Sequence, residues 1–147
     1  MEISDKTDGV NHINAYSKGK TELGRMLSNF EHSPFIHSEL GEFQSMEGFW
    51  FYISTGMKHE ELRDMFGYEA KQHGSSLPSV YNADFERLIY EGLEAKLTQN
   101  ENILDACREN DLPYYHYYVW PGKPIKLDES FWIQALRKTI QKVLLIY

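Results

Sequence analysis

The chain has 147 residues, 41% of them apolar and 25% charged, and a net charge of −7 at pH 7. Those values fit one globular domain able to bury a core, with no apolar run near the roughly 20 residues that a bilayer crossing needs. The acidic balance excludes a long phosphate-neutralising groove, which needs a basic surface, but leaves room for a local cluster that holds one or two phosphates.

Residues 1–12 are polar and are expected to form a flexible arm, with the folded domain running over 13–147. The opening Met1-Glu2-Ile3-Ser4-Asp5-Lys6 lacks the basic-then-apolar order of a secretory leader. A single cysteine, Cys107, cannot close an internal disulfide, so a cytoplasmic setting is expected. Cys107 lies in an amphipathic stretch and fits helix packing better than nucleophilic chemistry.

Ile13 to Tyr16 reads as a short edge strand and Lys18-Gly19-Lys20 as a turn or loop. Phe35 to Ser45 alternates apolar residues around Glu39-Leu40-Gly41, the pattern of a hairpin. Ser45 has the character of an N-cap, which predicts a helix from Met46 to Thr55 stopped by Gly56. A second helix is predicted from His59 to Gly74, with Leu62, Met65, Phe66 and Ala70 on one face. Asn82 is expected to cap a third, in which Phe85, Leu88, Ile89, Leu93 and Leu97 recur at helical spacing. A shorter helix follows from Glu101, with Ile103, Leu104 and Ala106, and ends near Asn110. Tyr114 to Leu127 is rich in tyrosine and turns at Pro121-Gly122, which predicts a second hairpin. Asp128 then caps a last helix with Phe131, Trp132, Ala135, Leu136, Ile140, Val143 and Leu144 as its apolar face. The expected fold is α+β and mainly α-helical, with short strands and hairpins.

Glu47 is the most informative acid. In the first turn of a helix capped by Ser45 it meets the positive end of the helix dipole, which favours the carboxylate. A carboxylate suits a base, a water-orienting group or a stabiliser of positive charge; acids are also common at helix starts for purely structural reasons. Lys18, Lys20 and Arg25, just before Ser28, are either a phosphate-binding cluster or solvated loop cations. His32, His37, His59 and His73 have no partner at metal-ligand spacing, so no metal is expected. The glycine patterns of phosphate and dinucleotide loops and the Gly-x-Ser-x-Gly elbow are all missing from the sequence. The run Tyr114, Tyr115, His116, Tyr117, Tyr118, Trp120 is either cross-strand packing or a stacking wall for a planar base, with His116, Tyr118 and Trp120 along one side.

Gly24-Arg25-Met26-Leu27-Ser28-Asn29-Phe30, followed by Ser33-Pro34-Phe35 and then by Gln44-Ser45-Met46-Glu47-Gly48-Phe49-Trp50-Phe51, resembles the opening of the NADAR superfamily, also called YbiA-like proteins. Glu69-Ala70-Lys71-Gln72-His73-Gly74 is similar to the family's Ala-Lys-x-x-Gly element, and Ala95-Lys96-Leu97-Thr98-Gln99-Asn100 to its Ala-Lys-Phe-x-Gln-Asn element. The resemblance covers most of the chain from Ile13 to the last helix. It implies a mainly helical domain and an N-glycosidase that cleaves between ribose C1 and a nucleobase nitrogen. The preferred substrate is ADP-ribosylated guanine in nucleic acid. The alternatives are a riboflavin-pathway ribosylaminopyrimidine 5-phosphate and a module that binds ADP-ribose without hydrolysing it.

By the same likeness Glu47 maps onto the catalytic glutamate and Asn29 onto the substrate-contacting motif. The expected contacts from the same pieces are Ser28, Phe30 and Trp50. Lys20, Arg25 or Lys96 would meet a phosphate, Tyr118 or Trp120 would stack on the base, and His116 would protonate the leaving group. No cofactor and no membrane partner are implied. Two positions depart from the family pattern. Asp84-Phe85 stands where relatives carry an aspartate and a tryptophan, and His116 stands where many carry an acid.

Overall fold

The computed structural model describes residues 2–147. Its elements, in chain order, are β1 (Ile13–Asn14), α1 (Glu22–Leu27), β2 (Phe35–His37), β3 (Gly41–Phe43), α2 (Met46–Ser54), α3 (Gly67–Ser75), α4 (Phe85–Gln99), α5 (Glu101–Glu109), β4 (Tyr114–Tyr115) and α6 (Phe131–Ile146). Six helices and four two- or three-residue strands make the fold α+β and mainly helical, as the periodicity predicts. Backbone contacts gather residues 29–101 into one unit, the central unit, and the chain up to Ser28 together with Asn102 onward into another, the flanking unit.

In the central unit the expected first hairpin forms. β2 and β3 pair antiparallel with Phe35 opposite Phe43 and His37 opposite Gly41, whose φ of +88° a glycine adopts without strain. The two paired phenylalanines place their rings against Phe49 of α2, at 5.3 and 4.8 Å between centroids. Met46, Ile53, Leu62, Ala70, Ile89 and Leu93 close this core. The edge of β2 is completed by a side chain. Gln99 Oε1 accepts from Ile36 N at 2.7 Å and its Nε2 donates to Ile36 O at 2.9 Å, an amide standing in for a neighbouring strand.

Ser45 caps α2 as predicted, its Oγ accepting from Gly48 N at 3.0 Å, and Gly56 follows the helix with φ +103°. Three close approaches fix α2. A Cβ on Gly48 would lie 2.3 Å from Leu62 O, one on Gly74 2.1 Å from Phe51 Cγ, and one on Gly92 2.6 Å from Phe49 Cε2.

The expected continuous helix from His59 to Gly74 is interrupted. Glu60–Asp64 form a 3-10 turn, Phe66 is extended, and Gly67, at φ +64°, starts α3 afresh. Gly67 N donates to Phe30 O at 3.0 Å, a tertiary bond that no local periodicity announces. Leu62 and Ala70 of the predicted face are buried, whereas Phe66 is 46% exposed.

In the flanking unit β1 and β4 pair parallel, Ile13 with Tyr114 and Asn14 with Tyr115. This pairing replaces the expected second hairpin over Tyr114–Leu127. Beyond Tyr115 the chain carries no strand; one turn bond, Lys123 N to Trp120 O, and one return bond, Asp128 N to His116 O, are what remain of it. Pro121 and Pro124 supply no N–H to a ladder there. α1 is an element that the sequence periodicity does not announce. Thr21 caps it by accepting from Gly24 N at 2.9 Å, and Gly24 lets it press on β1, where a Cβ would meet Asn14 O at 2.2 Å.

The segment expected to be a flexible arm is also tied down over its described residues. Asp5–Thr7 form a 3-10 turn, and the buried Asp8 carboxylate accepts from Asn14 N at 3.0 Å and Lys20 N at 2.9 Å. Met1 lies outside the described residues. Cys107 is buried in α5, the packing role predicted for it. Ser130 stands at the N-cap of α6, and Asp128 holds Ser130 by accepting from its N–H and its hydroxyl, each at 2.9 Å.

Candidate functional site: Glu47 and the Asn29-Phe30 segment

Asn29 and Phe30 sit where two helices of the central unit begin. Glu47 N, in the first turn of α2, donates to Asn29 O at 2.9 Å, and Gly67 N, the first residue of α3, donates to Phe30 O at 3.0 Å. Two successive carbonyls thus accept from two helix starts, which would otherwise leave N–H groups without partners. The clamp fixes the segment's main chain.

The Asn29 side chain is unusual. Its Oδ1 is buried and has no hydrogen-bond partner. A buried amide oxygen left this way costs about 1–3 kcal/mol, so a site that keeps one usually has a use for it. The Glu47 carboxyl is the second irregularity. Burial pushes its pKa up to about 7, against the opposing pull of the Lys71 ammonium. The helix-start position led us to expect a plain carboxylate. Burial outweighs both dipole and lysine, and at neutral pH the group is divided between acid and carboxylate.

Trp50, one turn along α2 from Glu47, is half-buried and meets Phe85 of α4 edge to face at 4.9 Å. Phe85, at one of the two departures from the family pattern, therefore belongs to the aromatic wall on the Glu47 face of α2. Lys71 of α3 is exposed and places Nζ 5.9 Å from the centroid of the Phe30 ring. Lys71 stood inside a quoted motif without a role, and no local signal in the sequence ties it to Glu47; the α2–α3 packing does. Gly74 of the same motif is the residue whose lack of a side chain allows that packing.

The remaining expected contacts are distributed as follows. Lys96 is 1% exposed within α4, so its ammonium lies inside the central unit. Ser28, Arg25 and Lys20 belong to the flanking unit. Ser28 is the buried C-cap of α1, and Arg25 uses Nη1 on the carbonyls of Gly19 at 2.8 Å and Lys20 at 3.0 Å, which closes its own loop. The Lys20 side chain is exposed.

His116 also lies in the flanking unit. Its Nδ1 is 2.7 Å from Ala15 O, so that nitrogen carries the proton, and burial lowers its pKa. At neutral pH the ring is uncharged and its other nitrogen is an acceptor, so it lacks the proton that the sequence reading asked it to donate. The ring row that alternation predicted exists without a strand: His116 meets Tyr118 at 5.2 Å, Tyr118 meets Trp120 at 6.3 Å, and Tyr16 meets Tyr118 edge to face at 5.4 Å. Tyr118 and Trp120 are 49% and 60% exposed. A surface cleft of about 790 Å³ in the same unit, with Tyr114, Tyr115, Glu129 and Arg137 in its lining, includes none of the expected site residues.

Among the described residues no helix is long and apolar enough to cross a membrane. No protein-family model matches the sequence, and no curated protein or solved structure matches it either.

Proposed function

We propose that the protein is an N-glycosidase that hydrolyses the bond between ribose C1 and a nucleobase nitrogen, with ADP-ribosylated guanine in nucleic acid as the preferred substrate. The observation that carries the reading is the pairing, at one helix start, of a half-buried carboxyl with pKa about 7 and an amide oxygen with nothing to accept from. The motif resemblance supports it: the residues of this pair are the ones the family likeness assigns to catalysis and substrate contact.

The chemistry follows from those two groups. As the C1–N bond breaks, its electron pair leaves with the nitrogen and the sugar gains oxocarbenium character. The Glu47 carboxylate faces that charge and removes a proton from the water that attacks C1; a pKa near the working pH suits this transfer. The leaving nitrogen takes its proton from solvent. Asn29 Oδ1 accepts from a ribose hydroxyl, which removes its own unsatisfied state and fixes the sugar. Trp50 and Phe85 supply an apolar side that limits water around the carboxyl.

The test is mass-resolved hydrolysis of an ADP-ribosylated guanine oligonucleotide and, in parallel, a ribosylaminopyrimidine 5-phosphate, with Glu47→Gln as control. Release of unmodified guanine that the variant loses supports the reading. Cleavage of only the pyrimidine moves the activity to the metabolite. The uncharged His116, whose single ring proton is committed to Ala15 O, favours a second reading: a module that holds ADP-ribose without cutting it. Tight ADP-ribose binding with neither substrate cleaved would select that second reading.

A further inference from the structure

A ribosyl substrate of this class carries a 5′-phosphate or diphosphate one sugar ring away from C1, and two of the cations proposed for it from sequence are already taken up in the structure. Arg25 is committed to two loop carbonyls and Lys96 is buried. Within the central unit, Arg63 is engaged by Glu60, by the carbonyls of Leu40 and Glu42 and by the Tyr52 hydroxyl, and Arg87 by Glu39, Asp84 and Glu91. Lys58 lies four residues beyond the C-terminal end of α2, while Glu47 is in the first turn of that nine-residue helix, roughly 10 Å along its axis from that end.

Lys71 differs from all of these. It is exposed, forms no ion pair with a carboxylate among the described residues, and rests its ammonium on the Phe30 ring at 5.9 Å, near the outer limit of a cation–π contact. That weak contact parks the charge beside the clamped Asn29-Phe30 segment while leaving its three N–H donors to be taken by a stronger acceptor. A phosphate oxygen is such an acceptor, and a charge-assisted bond to it is stronger than a long contact with a half-buried ring. Lys71 also registers electrostatically at Glu47, which places it on the carboxyl's side of α3.

We propose that Lys71 is the phosphate-binding residue of the Glu47 site, receiving the 5′-phosphate or diphosphate of the ribosyl substrate over Phe30 while C1 lies at Glu47. This rests on the N-glycosidase reading above. It makes Lys71 a specificity determinant: the site selects a phosphorylated riboside and turns away the bare nucleoside.

The experiment is calorimetric binding of ADP-ribose and of adenosine to the full chain carrying Glu47→Gln, then to the same chain with Lys71→Met or Lys71→Arg added. Lys71→Met is expected to weaken ADP-ribose binding about tenfold and leave adenosine unchanged, with Lys71→Arg restoring binding to within about threefold and thermal stability the same in all three. Equal losses for both ligands, or an unchanged ADP-ribose affinity, overturn the assignment of Lys71 while leaving Glu47 in place. Failure of the Glu47→Gln chain to bind ADP-ribose at all removes the reading of the site itself, and Lys71 falls with it.

Discussion

Two sets of polar groups, one in each unit, are handled in opposite ways. In the flanking unit His12, Asn14 and Tyr117 are each no more than 1% exposed and fully partnered. Asn14 Nδ2 donates to Tyr117 O at 3.0 Å and its Oδ1 accepts from Tyr117 N at 3.1 Å, while the Tyr117 hydroxyl lies 2.5 Å from His12 Nε2 and Asn11 Oδ1 lies 2.7 Å from His12 Nδ1. In the central unit Asn29 keeps a buried oxygen with no partner, and the half-buried Glu47 keeps a partly desolvated carboxyl. A closed network specifies structure; an open one is held at a cost and is available to a ligand. The same residue type, asparagine, is therefore closed into a network at one position and left open at another, and the difference lies in who bonds the side chain.

The comparison breaks first at Glu47. Replacing Glu47 by Gln is expected to lower kcat for C1–N cleavage by about 10³-fold, within the usual range for a lost general base, with circular dichroism unchanged; a variant that retains wild-type turnover removes the carboxyl from the chemistry. Next in size is the closed network. Asn14→Ala strands two buried backbone groups of Tyr117 and should cost about 3 kcal/mol in urea unfolding, independent of ligand.

Proton linkage gives a third, signed outcome. Folding raises the Glu47 pKa from an ordinary 4.5 to about 7, so between those values the folded chain holds a proton that the unfolded chain has shed. The stability this confers is present below pH 4.5 and lost as pH rises through 7. Glu47→Gln escapes that loss. Its stability relative to wild type should climb from near zero at pH 4.5 to about 3 kcal/mol above pH 7, read from paired melts. Over the same range wild-type kcat/KM should rise to a plateau above about pH 7, as the carboxylate form accumulates. The smallest effect sharpens the contrast most. Asn29→Ala should leave stability unchanged or raise it by about 1 kcal/mol, because it deletes an oxygen that is held at a cost and bonds nothing, while substrate KM rises. A loss as large as that of Asn14→Ala would make Asn29 a structural residue after all.

Much of the central unit was legible because its signals are local. Ser45 and Gly56 bracket α2 in sequence as they do in space, and Phe35 and Phe43 alternate into a hairpin that pairs them directly. The elements that escaped were decided at a distance. The break before α3 depends on Gly67 bonding Phe30, and the missing second hairpin on β4 preferring β1, a hundred residues away. α1 was hidden by Gly24, which weakens a helix on propensity but is required by the approach to Asn14. At the site, Glu47 and Asn29 could be read from their motifs; the buried state of the carboxyl, the proton position on His116 and the place of Lys71 come only from tertiary packing.

The three glycine contacts around α2 have a consequence for motion. Gly48, Gly74 and Gly92 each let a neighbour come so near that no side chain fits, so α2 has little room to slide or tilt without colliding with the Leu62 carbonyl, α3 or α4. Its amides should be among the last in the central unit to exchange with deuterated solvent. In the proposed reaction, a carboxyl delivered from such a rail would not have to be moved into place; the reorganisation that solvent would demand would already be met when the chain folds.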